Sequence, residues 1–191
     1  LHPANTLSLH DALPICHTAS DVVNASKLIK QYGFVLGHQI MIGLPGDNMN
    51  KDIETAKRAI DLKPDICRIY PALVIKDTPM ENMYIREEFK PYSLSEAVNI
   101  SKIIYIMMVA NQINVIRIGL QPTVEISEGN DLVAGPFHPA FRELVEGSIY
   151  NDLLYDVIMK NFKGDIGINK VLVKINPKDI SKLYADRKSV V

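Results

Sequence analysis

Two short motifs in the first half of this chain combine polar side chains and glycines in the manner of ligand sites. The first, over 39–46, follows Gln39 with an apolar run and a glycine-rich turn that begins at Gly43. Glycines there let a ligand approach the backbone closely, although strand-to-helix turns are also glycine-rich for conformational reasons alone. In the second motif, Arg68 and Tyr70 share one face of a predicted strand. A buried arginine there must find an anion or several acceptors, and either a ligand carboxylate or an acidic residue on a neighbouring strand would supply the anion.

Two further motifs lie in the second half of the chain. In the first of these, Gly119 opens an edge for a planar ring and Gln121 ends a strand, or the strand simply stops at Pro122. In the other, His138 stands between two prolines just before a helix, where it would serve as an acid or base, or cap that helix.

Familiar catalytic and metal-binding patterns are missing from the sequence. The histidines have no metal-ligand spacing, and no nucleophile, histidine and acid are arranged as a triad. No Gly-Lys-Ser/Thr follows the glycine-rich turn, so it is not a Walker loop. Acidic residues are predicted mainly on solvated helix faces, including Asp52, Glu54 and Asp61.

Composition, net charge and cysteine content narrow the kind of protein that this chain can be. With 47% hydrophobic and 23% charged residues, the chain is an ordinary soluble globular one. Its net charge of -1 gives no global attraction to nucleic acid or to an anionic membrane, and RNA as a substrate is neither supported nor excluded. Of the two cysteines, Cys16 adjoins an N-terminal stretch that reads as sequencing adapter, which leaves Cys67 alone; this argues against a disulfide framework and favours a cytoplasmic setting.

Strand and helix patterns alternate along the chain and would position the four motifs. Apolar runs predict buried strands over 34–44, 66–75 and 113–120. Helical spacing and capping signals predict helices that start at Thr18 or Ser20, at residue 50, at Ser93 and at residue 140. A Gly/Pro-containing stretch precedes the last of these. The alternation favours βα units around a parallel sheet, where working groups gather at the C-terminal ends of the strands.

The two ends read as translated sequencing adapter. Residues 10–15 back-translate to CACGACGCTCTTCCGATC, and the reverse complement of that oligonucleotide encodes 186–191. We therefore predict that 1–15 and 186–191 are adapter-derived artefact, and that the natural residue at position 16 is undetermined.

Four ordered motifs, over 17–48, 65–84, 116–123 and 133–146, closely resemble radical S-adenosylmethionine (radical SAM) proteins. The resemblance is to proteins similar to the catalytic subunit of Elongator, and more loosely to the oxygen-independent coproporphyrinogen oxidase group. It implies an α/β fold that is the later half of a partial (β/α)₆ TIM-like barrel over 16–122. A small C-terminal α/β extension would occupy 123–185.

The resemblance also implies the chemistry. In that family a Cys-x₃-Cys-x₂-Cys loop holds a [4Fe-4S] cluster, where S-adenosylmethionine is reductively cleaved to a 5′-deoxyadenosyl radical. The chain lacks this loop, so it is predicted to be inactive alone. The residues that match cofactor-binding positions are Gln39, Gly43, Arg68, Tyr70, Ile118 and Gly119.

The implied partners are a tRNA or small-molecule substrate and an electron donor such as ferredoxin or flavodoxin, with no membrane. Where Elongator-type proteins have an acetyltransferase domain, this chain has only a short tail, so use of acetyl-CoA is unsupported. Two alternatives stay open: a non-catalytic binding module derived from the barrel, and an unrelated barrel enzyme that binds phosphate at the 43–46 turn.

Overall fold

The computed structural model describes residues 18–121, 131–161, 172, 174 and 176–180. The chain divides into two compact units, Leu1–Phe141 and Arg142–Val191. The predicted boundary between residues 122 and 123 falls where a stretch outside the described residues begins, and it stays a prediction.

Helix α1 spans Ala19–Gln31 and begins, as predicted, at Thr18. The Thr18 hydroxyl accepts a hydrogen bond from the Asp21 N–H at 3.2 Å, and the Asp21 carboxylate accepts one from the Thr18 N–H at 2.7 Å. This capping box satisfies backbone donors that the first turn leaves without helical partners. The chain leaves the helix through Gly33, whose φ of 73° is the left-handed conformation of a C-terminal cap.

Four strands follow the predicted apolar runs. Their bounds are Gly37–Ile42 for β1, Ile66–Pro71 for β2, Val74–Ile75 for β3 and Asn114–Ile118 for β4. Strands β1, β2 and β4 form a parallel sheet in that order. The predicted parallel sheet is therefore confirmed, although the strands are shorter than the apolar runs, and the second run is divided between β2 and β3.

Three helices lie between these strands: α2 spans Met49–Asp61, α3 spans Pro79–Ile85 and α4 spans Leu94–Ala110. Helices α2 and α4 contact each other and pack on one face of the parallel sheet. The core between them contains Ile40, Ile42, Ala56, Ala59, Cys67, Ile69, Ala97, Ile100, Ile104, Met108, Val115 and Ile118. Burial of this alternating set is what fixes one face of each strand toward the helices.

Two elements, one helix and one strand, lie where the sequence patterns predict neither. Helix α3 begins with Pro79, and the Thr78 hydroxyl accepts a hydrogen bond from the Glu81 N–H at 3.3 Å. Proline is tolerated in a first turn because its missing N–H has no helical partner there. Further on, Leu132–Ala134 forms strand β5, which pairs antiparallel with β3.

Helix α5 spans Phe141–Asn161 and confirms the long helix predicted over 140–160. A 3₁₀ turn at Pro177–Asp179 follows Asn176, whose side chain accepts a hydrogen bond from the Lys178 N–H. The short strand predicted over 171–175 lies mainly outside the described residues. Among the described helices, none combines the length and the hydrophobicity needed to cross a membrane.

Candidate functional site

The face of the parallel sheet opposite α2 and α4 carries the polar side chains that the sequence singles out. We call it the open face, and its residues are Gln39, Met41, Arg68, Tyr70 and Arg117. In the strand register Gln39 pairs with Arg68, and Arg68 pairs with Arg117, so these three residues form one cross-strand row. Met41 and Tyr70 form the next row toward the C-terminal ends of the strands. The structure thus brings together Gln39, Arg68 and Tyr70.

Among the described residues, no carboxylate pairs with the guanidinium groups of the cross-strand row. Within the described residues, neither Arg68 nor Arg117 forms an ion pair or a side-chain hydrogen bond. Gln39 and Arg68 are exposed, so the predicted burial of Arg68 is wrong, and Arg117 is half-buried. Of the two partners predicted for Arg68, the structural ion pair is therefore not formed in the described part of the chain, and a ligand anion stays open.

Sequence reasoning missed Arg117 because a β-bulge changes the face on which it lies. Val115 pairs with Cys67 on the helix-covered face, but the register then shifts and Arg117 pairs with Arg68. Ile116 is the extra residue. Strict alternation would have placed Arg117 with Val115 on the helix-covered face, and a bulge re-aims a side chain in this way.

The glycine-rich turn after β1 uses its own backbone donors internally. The Gly43 N–H donates to an Asp52 carboxylate oxygen at 3.4 Å, and the Leu44 N–H donates to Asp47 at 3.2 Å. The Asp47 N–H in turn donates to the Leu44 carbonyl at 2.9 Å. Two carboxylates and no free row of N–H groups make this turn a poor phosphate cradle, which weighs against the phosphate-binding alternative.

Asp52 is wholly buried, so its predicted position on a solvated helix face is wrong. Besides the Gly43 N–H, its carboxylate accepts a hydrogen bond from the Tyr92 hydroxyl at 2.9 Å. The pKa of Asp52 is raised to about 7, mainly by burial and also by the nearby Asp47, while the hydrogen bond from Tyr92 opposes the shift. Burial and the Asp52 carboxylate likewise raise the pKa of Tyr92.

Gly43 and Gly119 both make room for an aromatic ring of this chain. A Cβ on Gly43, whose φ is 70°, would lie 2.5 Å from the Tyr92 ring. A Cβ on Gly119, whose φ is 82°, would lie 2.6 Å from the Phe141 Cβ. Phe141 therefore fills part of the space that was predicted at Gly119 for a planar ligand. Ile118 contributes its backbone to this strand end while its side chain is buried in the core.

His138 orders the turn that leads into helix α5. Its ring Nδ1 accepts a hydrogen bond from the Ala140 N–H at 3.1 Å, and its carbonyl accepts one from the Phe141 N–H. His138 also lines a small cavity with Pro71, Leu73, Leu120, Pro136, Phe137 and Phe141. Its role as an acid or base stays a prediction.

The described residues offer no metal centre. No group of three or more His, Cys, Asp or Glu side chains in the described part of the chain could hold a metal ion. Cys67 is a buried free thiol, and burial raises its pKa to about 11, so it stays protonated and behaves as a core residue. His38 is similarly structural, because its Nε2 lies 2.9 Å from the Ser26 hydroxyl and burial lowers its pKa.

Part of the chain is similar to known radical SAM and Elongator-type proteins. Residues 64–151 match the family described as the radical SAM C-terminal domain. Over 87 residues the chain is 39% identical to a protein of Methanocaldococcus jannaschii named tRNA uridine(34) acetyltransferase, covering 44% of this chain and 16% of that protein. It is 30% identical over 87 residues to human Elongator complex protein 3, with 44% of this chain and 16% of that protein covered.

A solved structure gives a similar result. It is described as the archaeal Methanocaldococcus infernus Elp3 with an N-terminal deletion of residues 1–46, and it matches with a TM-score of 0.58 at 27% identity. The match covers 76% of this chain and 32% of that one. The chain spans less than a fifth of the length of the acetyltransferase relatives, at 16% and 18%. The predicted resemblance to Elongator-like radical SAM proteins is confirmed, and the fold is mixed α/β with a parallel sheet.

Proposed function

We propose that this chain, being similar to Elongator-like radical SAM proteins, is the later half of a partial (β/α)₆ TIM-like barrel in an enzyme that modifies tRNA. The open face would be its inner wall, against which S-adenosylmethionine lies. A tRNA substrate is supported by the names of the relatives, and a cytoplasmic setting follows from such a substrate. In the complete protein, ferredoxin or flavodoxin would supply the electron that cleaves the cofactor.

The observation that carries the proposal is the cross-strand row. An amide and two guanidinium groups stand on adjacent strands with no protein partner among the described residues, next to the phenol of Tyr70. S-adenosylmethionine offers matching groups, because its carboxylate accepts from a guanidinium and its ribose hydroxyls pair with an amide. The side chains present therefore fit the cofactor.

Each of the proposed residues has a role in holding the ligand. Gln39, Arg68 and Tyr70 would contact it from the open face, and the Gly43 turn and the Ile118–Gly119 backbone would border it at the strand ends. Asp52 would not contact the ligand. Its carboxylate accepts hydrogen bonds from the Gly43 N–H and the Tyr92 hydroxyl, and these bonds fix the position of the turn. When bound, S-adenosylmethionine with a reduced [4Fe-4S] cluster supplies a radical that abstracts hydrogen from the substrate.

Among the described residues, no group of side chains could bind the [4Fe-4S] cluster. We therefore assign no cluster ligand to the described residues and expect that role to belong to a segment encoded upstream. A non-catalytic binding module, the main alternative, would share the open face but have no such segment.

Sequencing the source DNA across the codons of residues 15 and 16 separates catalysis from binding alone. We expect an upstream frame that encodes Cys-x₃-Cys-x₂-Cys continuous with His17. The complete protein, reconstituted anaerobically and reduced, should then form 5′-deoxyadenosine from S-adenosylmethionine. A continuous frame without the cysteine motif would overturn the catalytic claim and leave the binding module. A complete protein that has the motif but forms no 5′-deoxyadenosine, despite a spectroscopically intact cluster, would overturn it equally.

A further inference from the structure

Two arginines, Arg68 and Arg117, lie directly opposite each other on the open face, and the barrel fold does not require this pairing. They are Cα partners across β2 and β4, and both side chains are directed away from the helix-covered core. Like charges directly opposite each other on a sheet repel, so such a pair is unfavourable unless something compensates it. In the described part of the chain no carboxylate does so.

The bulge in β4 strengthens this observation. If residues 115–117 alternated strictly, without the bulge, Arg117 would lie on the same face as the buried Val115, where a charge would be costly. The bulge instead moves the second guanidinium beside the first. A local irregularity that collects two cations on one face suits an anion that binds both.

We propose that Arg68 and Arg117 form a two-arginine site for an oxyanion, a carboxylate or a phosphate, carried by a small ligand on the open face. Two planar guanidinium groups can each donate parallel hydrogen bonds to such a group. The proposal deepens the proposed function, because it adds Arg117 to the side chains expected to hold the ligand. It rests on that function only for the identity of the ligand, not for the presence of the site.

A small ligand fits better than a nucleic-acid backbone. The row containing the two arginines lies beneath the row of Met41 and Tyr70, further from the C-terminal strand ends. Tyr70 is only 8% exposed, so the second row is partly closed. A terminal carboxylate or phosphate group can reach into this position, whereas a continuous polyanion would lie along the outer strand ends.

The test is titration of the 191-residue chain with inorganic phosphate and, separately, with L-methionine, followed by backbone amide chemical shifts. We expect at least one anion to shift resonances of β2 and β4. Arg68→Gln and Arg117→Gln should each weaken binding about tenfold, because each removes a charge-assisted pair of hydrogen bonds. Phosphate binding alone would identify a phosphate-bearing ligand, and methionine binding alone a carboxylate-bearing one.

Arg86→Gln is the matched control, since Arg86 is an exposed guanidinium outside the sheet. It should leave anion binding unchanged. Equal losses in the control and in the sheet variants, or no shift with either anion, would overturn the site. A ligand-free melting temperature that falls in Arg117→Gln but not in Arg86→Gln would also count against it, since it would reveal a structural partner. If the unsubstituted chain bound an anion but did not bind S-adenosylmethionine, only the proposed cofactor would be contradicted, and the two-arginine site would stand.

Discussion

Replacing Gly119 by alanine is expected to lower the free energy of unfolding by about 2 to 4 kcal/mol. Two effects combine. Alanine at a φ of 82° is strained, and its Cβ would lie 2.6 Å from the Phe141 Cβ, an atom close to the backbone that cannot swing aside. Urea unfolding of the chain, followed by circular dichroism, measures the loss.

Gly33→Ala is a matched control for this prediction. Gly33 has a similar φ of 73°, but a Cβ there meets nothing within 4 Å. It should therefore lose only the strain contribution, about 1 to 2 kcal/mol. If both variants lost the same amount, Phe141 would not be packed against Gly119, and the strand end would be more open than the structure indicates.

Asp52→Asn is expected to change how stability depends on pH. Asp52 has a raised folded-state pKa of about 7, against an ordinary value of 3.8. The native state therefore holds the proton more tightly than the unfolded state. The stability contributed by the protonated carboxyl is complete below about pH 4 and is lost as pH rises through about 7. The loss is on the order of 4 kcal/mol, and asparagine, which does not titrate, avoids it.

The measurement is the difference in unfolding free energy between Asp52→Asn and the unsubstituted chain at pH 5, 6, 7 and 8. The variant should gain relative stability as the pH rises from 5 to about 7, and the difference should level off between pH 7 and 8. Taking the difference removes the contribution of His38, whose lowered pKa makes both proteins less stable on acidification. Glu54→Gln, on the exposed side of the same helix, should give a flat difference. A flat difference for Asp52→Asn as well would show that its carboxyl is not buried.

Local signals in the sequence were sufficient for most of the helices and strands. The capping boxes of Thr18 with Asp21 and of Ser93 with Glu96 are both formed, because each depends on residues three apart. Apolar runs located the three parallel strands, but the expectation from those runs that both faces are covered is wrong for the described residues, since Gln39, Met41 and Arg68 are exposed on the face away from the helices. Helix α3 was missed, since Pro79 reads as a breaker unless it occupies the first turn.

The site depended on contacts that the sequence does not encode locally. Asp52 is buried because Tyr92, 40 residues later, covers it and donates to its carboxylate. Its spacing from Ala56 and Ala59 was the one available signal, since positions i, i+4 and i+7 share a helix face. Arg117 required knowledge of a bulge that no sequence pattern marks. The shared face of Arg68 and Tyr70, by contrast, follows from simple strand alternation, and the strand register adds Gln39, which the family resemblance had singled out, to the same face.

The central claim, that the open face contacts S-adenosylmethionine, is tested most directly by titrating this chain with the cofactor and mapping amide and side-chain shifts. The account predicts shifts at Gln39, Arg68, Tyr70 and Gly119, with binding about tenfold weaker in Gln39→Ala and unchanged in Glu54→Gln. Shifts confined to the helix-covered side, or none at concentrations where adenosine-containing ligands bind such enzymes, would contradict it.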